Sequence, residues 1–390
     1  MGAAVSKSWW YPTAFSLWGD EEYEAIGRVV QTDRFTMGEE VAAFEREFAD
    51  YHGMKHGIMV NSGSSANLIM VAALFALGRL QRGDKVLVPA LAWSTTYAPL
   101  IQHGLDLELV DCDGTWCAFD PEPLDHEDIK LIVSVPILGA PQVYANTQRM
   151  VADTWCIPMV EDNCEALGAS VHGHPCGTRG LMNSFSFFYS HQLSAIEGGM
   201  VLTDDDDCAR MCRILRAHGW TRDVEAPKSF DEEYNFTHFG YNVRPVEMHA
   251  AIARCQLRKL KDFVDARRAN LKFFHSRRDY YGLPIKLQQV KGLYTSPFAL
   301  PFMVETSELR NKVVVALRAA DIDCRLPTGG CFQMHPYGAP WRDQATPNAR
   351  RVHETGLFLG NAPFAIEDKI DRACQIIQAA LTGTRRESVS

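Results

Sequence analysis

The 390-residue sequence has the composition of a globular protein, with 46% hydrophobic and 22% charged residues. This balance excludes a disordered or fibrous chain. The length exceeds that of a usual single hydrophobic core and predicts two domains, or one large α/β domain with an appendage. The formal net charge is -9, and no long lysine or arginine run offers the positive surface that a nucleic acid backbone requires. We therefore expect no nucleic acid partner.

Cysteine usage and hydropathy indicate a cytoplasmic protein. The chain has 11 cysteines and no Cys-x-x-Cys pair. An odd number without paired spacing is typical of reduced, mostly buried thiols. No apolar run approaches the length of a membrane span, and the first residues lack the apolar core of a secretory signal. We expect a cytoplasmic location and no membrane contact.

Strand-like and helical segments alternate along the first 215 or so residues, after a helix predicted at about 21–30. Apolar strand-like runs occupy residues 57–60, 85–88, 107–110, 130–135, 158–160, 184–188 and 200–203. Helices are predicted between them at 65–77, 95–102 and 147–154. This alternation predicts parallel β-α-β units in a doubly wound α/β sheet, with the active site at the carboxyl ends of the strands.

The rest of the chain predicts a smaller domain. A long helical stretch at about 245–277 leads into a mixed segment, where helices near 308–319 and 368–381 flank short strands. We divide the chain into a large domain with the N-terminal segment, residues 1–262, and a small α+β C-terminal domain, residues 263–390.

A small, polar segment follows the first strand and opens a very apolar helix. Residues 61–67 read NSGSSAN, with Gly63 and Ser64 near the centre. Small residues let backbone NH groups and hydroxyls approach an anion, and a helix N-terminus adds partial positive charge. The segment is a candidate phosphate-binding loop. Serine and glycine also cap helices without any ligand, so simple capping remains an alternative.

Acidic residues stand at the end of a buried strand. Residues 161–165 read EDNCE and include Asp162 and Glu165. A carboxylate at the mouth of a buried strand is unfavourable unless a cation faces it. A protonated pyridine nitrogen would satisfy Asp162. The alternative is a loop carboxylate that caps the next helix.

A single histidine lies in a polar turn between two strands. Residues 184–199 read SFSFFYSHQLSAIEGG, so that His191 follows one strand and a glycine pair turns the chain back into the next. Taken alone, an isolated histidine is more often a structural residue than a catalyst.

These motifs resemble the DegT/DnrJ/EryC/StrS sugar aminotransferase family, which is related to aspartate aminotransferase. In that family a lysine lies six residues before Glu-Gly-Gly, and His191 occupies that position here. A histidine there resembles one branch of the family, the GDP-4-keto-6-deoxy-D-mannose 3-dehydratases. Four further segments are similar to that branch: residues 35–39 (FTMGE), 93–97 (WSTTY), 216–222 (RAHGWTR) and 240–245 (GYNVRP). The resemblance runs from about Leu17 to the C-terminal helix, and residues 325–330 (RLPTGG) follow it only loosely.

The resemblance implies an aspartate-aminotransferase-like fold (PLP fold type I) and a vitamin B6 cofactor. A lysine amine can bind pyridoxal 5'-phosphate (PLP) covalently, whereas an imidazole can only move protons. The implied resting cofactor is therefore pyridoxamine 5'-phosphate (PMP). The implied reaction removes the C3 hydroxyl of a nucleotide-linked 4-keto-6-deoxy sugar, with GDP-4-keto-6-deoxy-D-mannose as the expected substrate. L-Glutamate then regenerates PMP, and ammonia is released.

Two alternatives remain open at this stage. One is a PLP-dependent nucleotide-sugar aminotransferase, and the other is a non-catalytic PLP-binding protein. The sequence also leaves open which nucleotide is recognised and whether the sugar is a hexose or a larger homologue.

The resemblance implies a role for each matching position. His191 is the expected catalytic acid and base. The residues expected to bind the cofactor are Gly63, Ser64, Trp93, Asp162, Glu165, Ser186 and Asn242. Asp162 is expected to face the pyridine nitrogen, Trp93 to stack on the ring, and Glu165 to lie against the ring hydroxyl. Gly63, Ser64 and Ser186 are expected to bind the phosphate.

The same resemblance implies a homodimer with shared active sites. Asn242 is expected to reach the phosphate of the neighbouring subunit. His218 and Arg222 are expected to bind the sugar or the diphosphate.

One other group of residues suggests a metal at first sight. His172, His174 and Cys176 alternate along the chain, as ligands on one face of a strand would. The run 172–175 (HGHP) is better interpreted as the tip of a hairpin, and no fourth ligand is evident. We expect no metal site.

Overall fold

The computed structural model describes residues 8–113, 128–141, 156–288 and 293–383. A seven-stranded sheet forms the centre of the larger part of the molecule, and a separate four-stranded sheet lies in the C-terminal part. The strands up to residue 203 are β1 (His56–Val60), β2 (Lys85–Pro89), β3 (Asp106–Val110), β4 (Ile129–Ser134), β5 (Met159–Asp162), β6 (Ser170–Val171), β7 (His174–Pro175), β8 (Met182–Ser186) and β9 (Gly199–Thr203).

The large sheet has the strand order β1-β9-β8-β5-β4-β2-β3. Strand β9 is antiparallel to both of its neighbours, and the other pairs are parallel. The chain therefore turns back between β8 and β9, as predicted, and the glycine pair lies where β9 begins. Strands β6 and β7 form a small hairpin with His172 and Gly173 at its tip.

Helices cover both faces of this sheet. They are α1 (Asp20–Gln31), α2 (Glu39–His52), α3 (Gly63–Ala76), α4 (Ser94–Gln102), α5 (Asp206–Arg216) and α6 (Glu247–Tyr281). Alternate residues of β9 point to opposite faces, so Val201 packs in the core with α3, while Met200 and Leu202 pack with α2 and α6. Helix α3 is apolar on almost all sides because it lies between the sheet and the neighbouring helices.

The second sheet has the order β10-β11-β13-β12. Its strands are β10 (Lys286–Leu287), β11 (Ala299–Met303), β12 (Cys324–Arg325) and β13 (Gly356–Gly360), and its helices are α7 (Ser307–Ala319), α8 (Pro347–Thr355) and α9 (Glu367–Thr382). Short 3-10 turns occupy Ile137–Gly139, Asp231–Tyr234, Pro327–Gly329, Phe332–Met334 and Pro336–Trp341. The core of this part includes Phe302 and Ile377.

Two features bear on the expected domain division. Helix α6 runs without interruption through residues 262 and 263, where the boundary is expected. Tyr11 of the N-terminal segment is fully buried in the C-terminal core, and its hydroxyl donates to the carbonyl of Gly360. The N-terminal segment thus contacts both cores, because Tyr11 packs in the C-terminal core and Trp18 packs against the core of the large sheet. Helix α6 also contributes to both cores.

Most predicted elements are confirmed. The seven predicted strands and the helices at 21–30, 65–77 and 95–102 agree with the structure to within two residues at each end. The helix predicted at 147–154 lies outside the described residues. Helices α2, α5 and α8 were not assigned from the sequence. The short strands of the second sheet were expected between the last two predicted helices, but without bounds. Within the described ranges, no helix combines the length and apolar character needed to cross a membrane.

Candidate active site

A cavity of about 440 Å³ opens at the carboxyl ends of the parallel strands. Its walls come from the start of α3, from the ends of β5 and β8, and from the segment that follows β12. Seven of the predicted site residues line it: Gly63, Ser64, Trp93, Asp162, Glu165, Ser186 and His191. The strand ends bring together residues far apart in the chain, as expected for this class of sheet.

Asp162 is a buried carboxylate whose hydrogen-bond partners carry no charge. Its side chain is at the end of β5 and the residue is only 5% exposed. Oδ2 accepts hydrogen bonds from Asn67 Nδ2 and Thr96 Oγ1, each at 2.7 Å. No lysine, arginine or histidine of the described residues forms an ion pair with it. A buried carboxylate held in this way favours a cationic ligand.

The start of α3 is an open helix N-terminus beside β8. A Cβ atom at Gly63 would lie 2.6 Å from Ser186 Cβ and 2.7 Å from Cys164 Sγ, so only glycine allows this approach. Ser62 caps the helix by accepting from the Ser65 NH, and Ser64 Oγ lies 2.8 Å from Thr95 Oγ1. The hydroxyls and the positive helix end make this corner of the cavity suitable for an anion.

His191 lies in the turn after β8 with its ring fixed on two sides. Nδ1 is 2.5 Å from the carbonyl oxygen of Cys164, and the ring of Phe298 packs edge-on at 5.0 Å. Because a carbonyl only accepts, Nδ1 carries the proton and Nε2 has a free lone pair. Burial lowers the pKa of His191 to about 4, and the charge of Arg267 also lowers it. The imidazole is therefore neutral at pH 7 and can act as a base.

Glu165 provides a second titratable group on the cavity wall. Its Oε2 accepts from the NH of Leu138 at 2.8 Å. Burial raises the pKa of Glu165 to about 8, and the nearby charge of Asp162 adds to this effect. The carboxyl group is thus protonated at pH 7 and can donate a hydrogen bond.

Trp93 also lines the cavity. The Trp93 residue is 55% exposed, which is high for a large aromatic side chain. A Cβ atom at Gly329 would lie 3.4 Å from the Trp93 ring, so the small-domain segment packs against the indole. An indole held at a cavity in this way can cover the face of a flat ligand.

Three predicted site residues lie away from this cavity. His218 and Arg222 line a different pocket, of about 590 Å³, together with Arg34 and Arg244. Arg244 Nη1 is 2.9 Å from His218 Nε2, and the guanidinium of Arg222 lies over the Trp220 ring. Asn242 is exposed and lines neither pocket. The structure of one chain therefore does not bring these three residues to His191.

Several cavity residues were missed as individual candidates in the sequence. Asn67 and Thr96, which hold Asp162, both lie inside motifs that the sequence analysis quoted, and Asn67 is one helical turn after Gly63. Arg325 and Thr328 line the cavity from the small domain. Both lie in the segment 325–330, which the sequence analysis quoted as only loosely similar to the family and did not propose as part of the site. Among the described residues, no group of three or more side chains is arranged to hold a metal.

Comparison with known proteins places the chain in a family. The model of the DegT/DnrJ/EryC1/StrS aminotransferase family matches residues 17–378. The chain belongs to this family. Its fold, with the mainly parallel sheet and the smaller C-terminal sheet, is the aspartate-aminotransferase-like fold of PLP fold type I.

Relatives within the family share most of their length with this chain. The GDP-4-keto-6-deoxy-D-mannose 3-dehydratase of Escherichia coli O55:H7 is 38% identical, over 94% of this chain and 99% of the relative. The crystal structure of an E. coli GDP-4-keto-6-deoxy-D-mannose-3-dehydratase with bound hydrated PLP has a TM-score of 0.89 and 36% identity, and covers 95% of this chain and 100% of that one.

A further solved structure of a GDP-4-keto-6-deoxymannose-3-dehydratase contains a trapped PLP-glutamate geminal diamine. It has a TM-score of 0.88 and 36% identity, covering 94% of this chain and 100% of that one.

Proposed function

We propose that this chain is a PMP/PLP-dependent 3-dehydratase that removes the C3 hydroxyl of a nucleotide-linked 4-keto-6-deoxy sugar, with GDP-4-keto-6-deoxy-D-mannose as substrate. The observation that carries the proposal is His191 in the cavity, with Nε2 free. No lysine lines this cavity among the described residues. A base is therefore present, but no amine that could bind PLP covalently.

The cavity fits a B6 cofactor at both ends. The buried carboxylate of Asp162, which forms no ion pair with any residue that the structure describes, suits a protonated pyridine nitrogen. The start of α3, with Gly63 and Ser64, and the nearby Ser186 suit the phosphate. Trp93 covers one face of the space between them. Glu165, as a neutral acid, suits the ring hydroxyl.

His191 moves the protons of the reaction. When bound, the cofactor supplies an amine that condenses with the C4 ketone and a ring that accepts electrons. His191 Nε2 takes a proton from C4', the cofactor carbon that carries the amine. It then returns a proton to the C3 hydroxyl of the sugar, which leaves as water. The Cys164 carbonyl holds the ring while Nε2 changes its protonation state. The sugar would be released as an unsaturated amine (an enamine) that carries the nitrogen of the cofactor, which would be left as the aldehyde PLP. Hydrolysis of this enamine gives ammonia and the 3-deoxy-4-keto product.

L-Glutamate serves as the second substrate. It restores the amine form of the cofactor, and the same Nε2 carries the proton in this half of the cycle. One base is sufficient because the two half-reactions occur in turn at the same carbon.

We also propose a homodimer in which each site is shared. Asn242, His218 and Arg222 line no part of their own chain's cavity, so a contribution to catalysis requires a second subunit. In that arrangement Asn242 binds the phosphate of the neighbouring cofactor, and the basic pocket receives the sugar diphosphate. A cytoplasmic location suits the ten cysteines that the structure describes, which are placed outside disulfides.

Product analysis tests the proposal. Enzyme loaded with PMP is incubated with GDP-4-keto-6-deoxy-D-mannose and glutamate. Ammonia and a 3-deoxy sugar are expected, whereas accumulation of a stable 4-amino sugar would establish an aminotransferase instead. Comparison of product formation from the GDP-linked sugar with that from its CDP-linked and dTDP-linked analogues identifies the nucleotide that the enzyme recognises. The variant His191→Lys should bind PLP covalently and lose dehydration, and unchanged dehydration in it would refute the assigned role.

A further inference from the structure

Arg267 is a buried arginine on α6 that has no acidic partner among the described residues. It is 1% exposed, and Nη1 donates to the carbonyl oxygens of Phe298 and Asn361 at 3.1 and 3.0 Å. Nη2 lies 3.4 Å from the carbonyl oxygen of His191. All three acceptors are backbone carbonyls. Burial of a charge without an opposite charge is costly, so an arginine here indicates a role that an apolar side chain could not fill.

The three carbonyls belong to the segments that set the position of the His191 ring. His191 is in the turn after β8, Phe298 directly precedes β11, and Asn361 directly follows β13. The Phe298 ring packs edge-on against the imidazole at 5.0 Å. One guanidinium therefore ties the main chain that carries the imidazole to the main chain that carries the ring packed against it.

The next residue of the turn strengthens this connection. Gln192 is 2% exposed, and its Nε2 donates to the carbonyl oxygens of Glu165 and Ser296 at 2.6 and 2.9 Å. Arg267 itself lies between Val264, which packs in the core of the large sheet, and Phe274, which packs in the C-terminal core. The His191 turn is therefore fixed where the two cores meet.

The charge of Arg267 acts on the same imidazole. The other titratable side chains on the described cavity wall are Cys164, Asp162, Glu165, Glu197 and Arg325. Burial and the charge of Arg267 lower the pKa of His191, whereas Asp162 acts in the opposite direction. Burial lowers the pKa of Arg267 only to about 10, so the guanidinium is charged at pH 7. A proton taken up by Nε2 is therefore held weakly, which favours its transfer to a leaving hydroxyl.

We propose that Arg267 is a positioning residue for His191, which holds the turn and Phe298 so that the imidazole keeps its direction, and whose buried charge favours return of the proton. Arg267 does not line the cavity, so it acts only through His191 and its surroundings. This inference rests on the proposed function, because it assigns His191 the proton transfers of that reaction.

Titration of the His191 ring tests the role of the charge. The ring is followed by NMR in the full chain with labelled histidine, and the variant His191→Asn identifies its signal. In Arg267→Gln the pKa of His191 should rise by about one pH unit, because a nearby positive charge is lost. Arg267→Lys keeps the charge, so the pKa should stay close to its wild-type value of about 4.

Single turnovers of PMP-loaded enzyme test the role of the geometry. Arg267→Lys should form the 3-deoxy product roughly 10-fold more slowly, because one ammonium group cannot replace a planar fork that reaches three carbonyls. Arg267→Gln should be slower still. The half-saturating sugar concentration should be unchanged in both variants, because Arg267 does not contact the cavity.

Arg277→Gln is the matched control. Arg277 lies roughly 15 Å further along α6 and pairs with Asp371 of the small domain. Its substitution removes the same charge from the same helix and should lower Tm, but the single-turnover rate and the pKa of His191 should match wild type. If Arg267→Gln fails to fold, Arg267→Lys decides, and a wild-type rate in it would count against the proposal.

Three results would overturn the proposal. A folded Arg267→Gln variant with a lower Tm, but with the wild-type rate and the wild-type pKa of His191, would leave only a structural role. Equal effects in Arg277→Gln would assign the change to net charge or stability. A raised sugar requirement at an unchanged rate would indicate a contact with substrate.

Failure of the proposed function gives a different result. If wild-type enzyme loaded with PMP does not dehydrate the sugar, this counts against the proposed function alone. The ring titration does not depend on that reaction, and an unchanged pKa of His191 in Arg267→Gln would then refute the role of Arg267.

Discussion

His191 and Asp162 are linked through the backbone of one residue, Cys164. The Cys164 carbonyl accepts from His191 Nδ1 at 2.5 Å, and the Cys164 NH donates to Asp162 Oδ1 at 3.2 Å. The backbone of Cys164 therefore both sets the direction of the imidazole and holds the buried carboxylate. Both contacts use backbone atoms of Cys164, so a substitution of its side chain should leave them in place.

The pH dependence of dehydration should reflect a neutral imidazole. Burial lowers the pKa of His191 from 6.5 to about 4, so the free base is present throughout the neutral range. In single turnovers of PMP-loaded enzyme, we expect the acid limb that belongs to His191 to be centred near pH 4. Rapid-quench measurement of the 3-deoxy product across pH provides the test. A limb near pH 6.5, assigned to His191 by titration of the ring in NMR spectra, contradicts the prediction.

Asp162→Asn should weaken cofactor binding and catalysis together. Removing one partner of a buried ion pair costs about 3–5 kcal/mol, so PMP affinity should fall by roughly 100-fold or more. Equilibrium dialysis with PMP measures the affinity. Asp343→Asn, an exposed aspartate of the small domain, serves as the control and should bind PMP as wild type does. Equal affinity in the two variants would argue against a charged partner at Asp162.

Gly63→Ala should separate α3 from β8. The added methyl group would lie 2.6 Å from Ser186 Cβ, and such overpacking costs about 1–3 kcal/mol. We expect a lower Tm and weaker binding of the cofactor phosphate. Gly27→Ala is the matched control, because its methyl group meets nothing within 4 Å in α1 and alanine favours a helix by about 1 kcal/mol. If both variants melted alike, the close approach at Gly63 would have no energetic weight.

The sequence predicts the large sheet well because most of its strands contain short apolar runs that are buried on both faces. Met200 and Val201, for example, enter different cores, and both must be apolar. The small domain is harder to predict, because β10 and β12 have two residues each and show no period. Their pairing depends on β11 and β13, which are distant in the chain.

The candidate site also contains residues that the sequence predicts and residues that it does not. Strand ends and a glycine-rich helix start mark Asp162 and Gly63 from local pattern alone. Thr328 is different, because its left-handed backbone lies in a segment that pairs with a distant part of the chain, through the bridge between Cys331 and Leu91. His218 and Arg222 were grouped with the site by resemblance, and the structure of a single chain places them in another pocket. Neither kind of long-range contact leaves a periodic signal in the sequence.

Glu165→Gln should stabilise the apoenzyme as pH rises. The folded state raises the pKa of Glu165 from 4.5 to about 8, so between these values the folded chain keeps a proton that the unfolded chain releases. The stability contributed by Glu165 is therefore complete below pH 4.5 and is lost progressively as pH rises through 8. Glutamine has no proton to lose, so the Tm difference between variant and wild type should grow with pH in favour of the variant. Thermal melts at about pH 5, 7 and 8.5 measure this difference in Tm. A constant Tm difference across this range would show that Glu165 ionises normally in the folded protein.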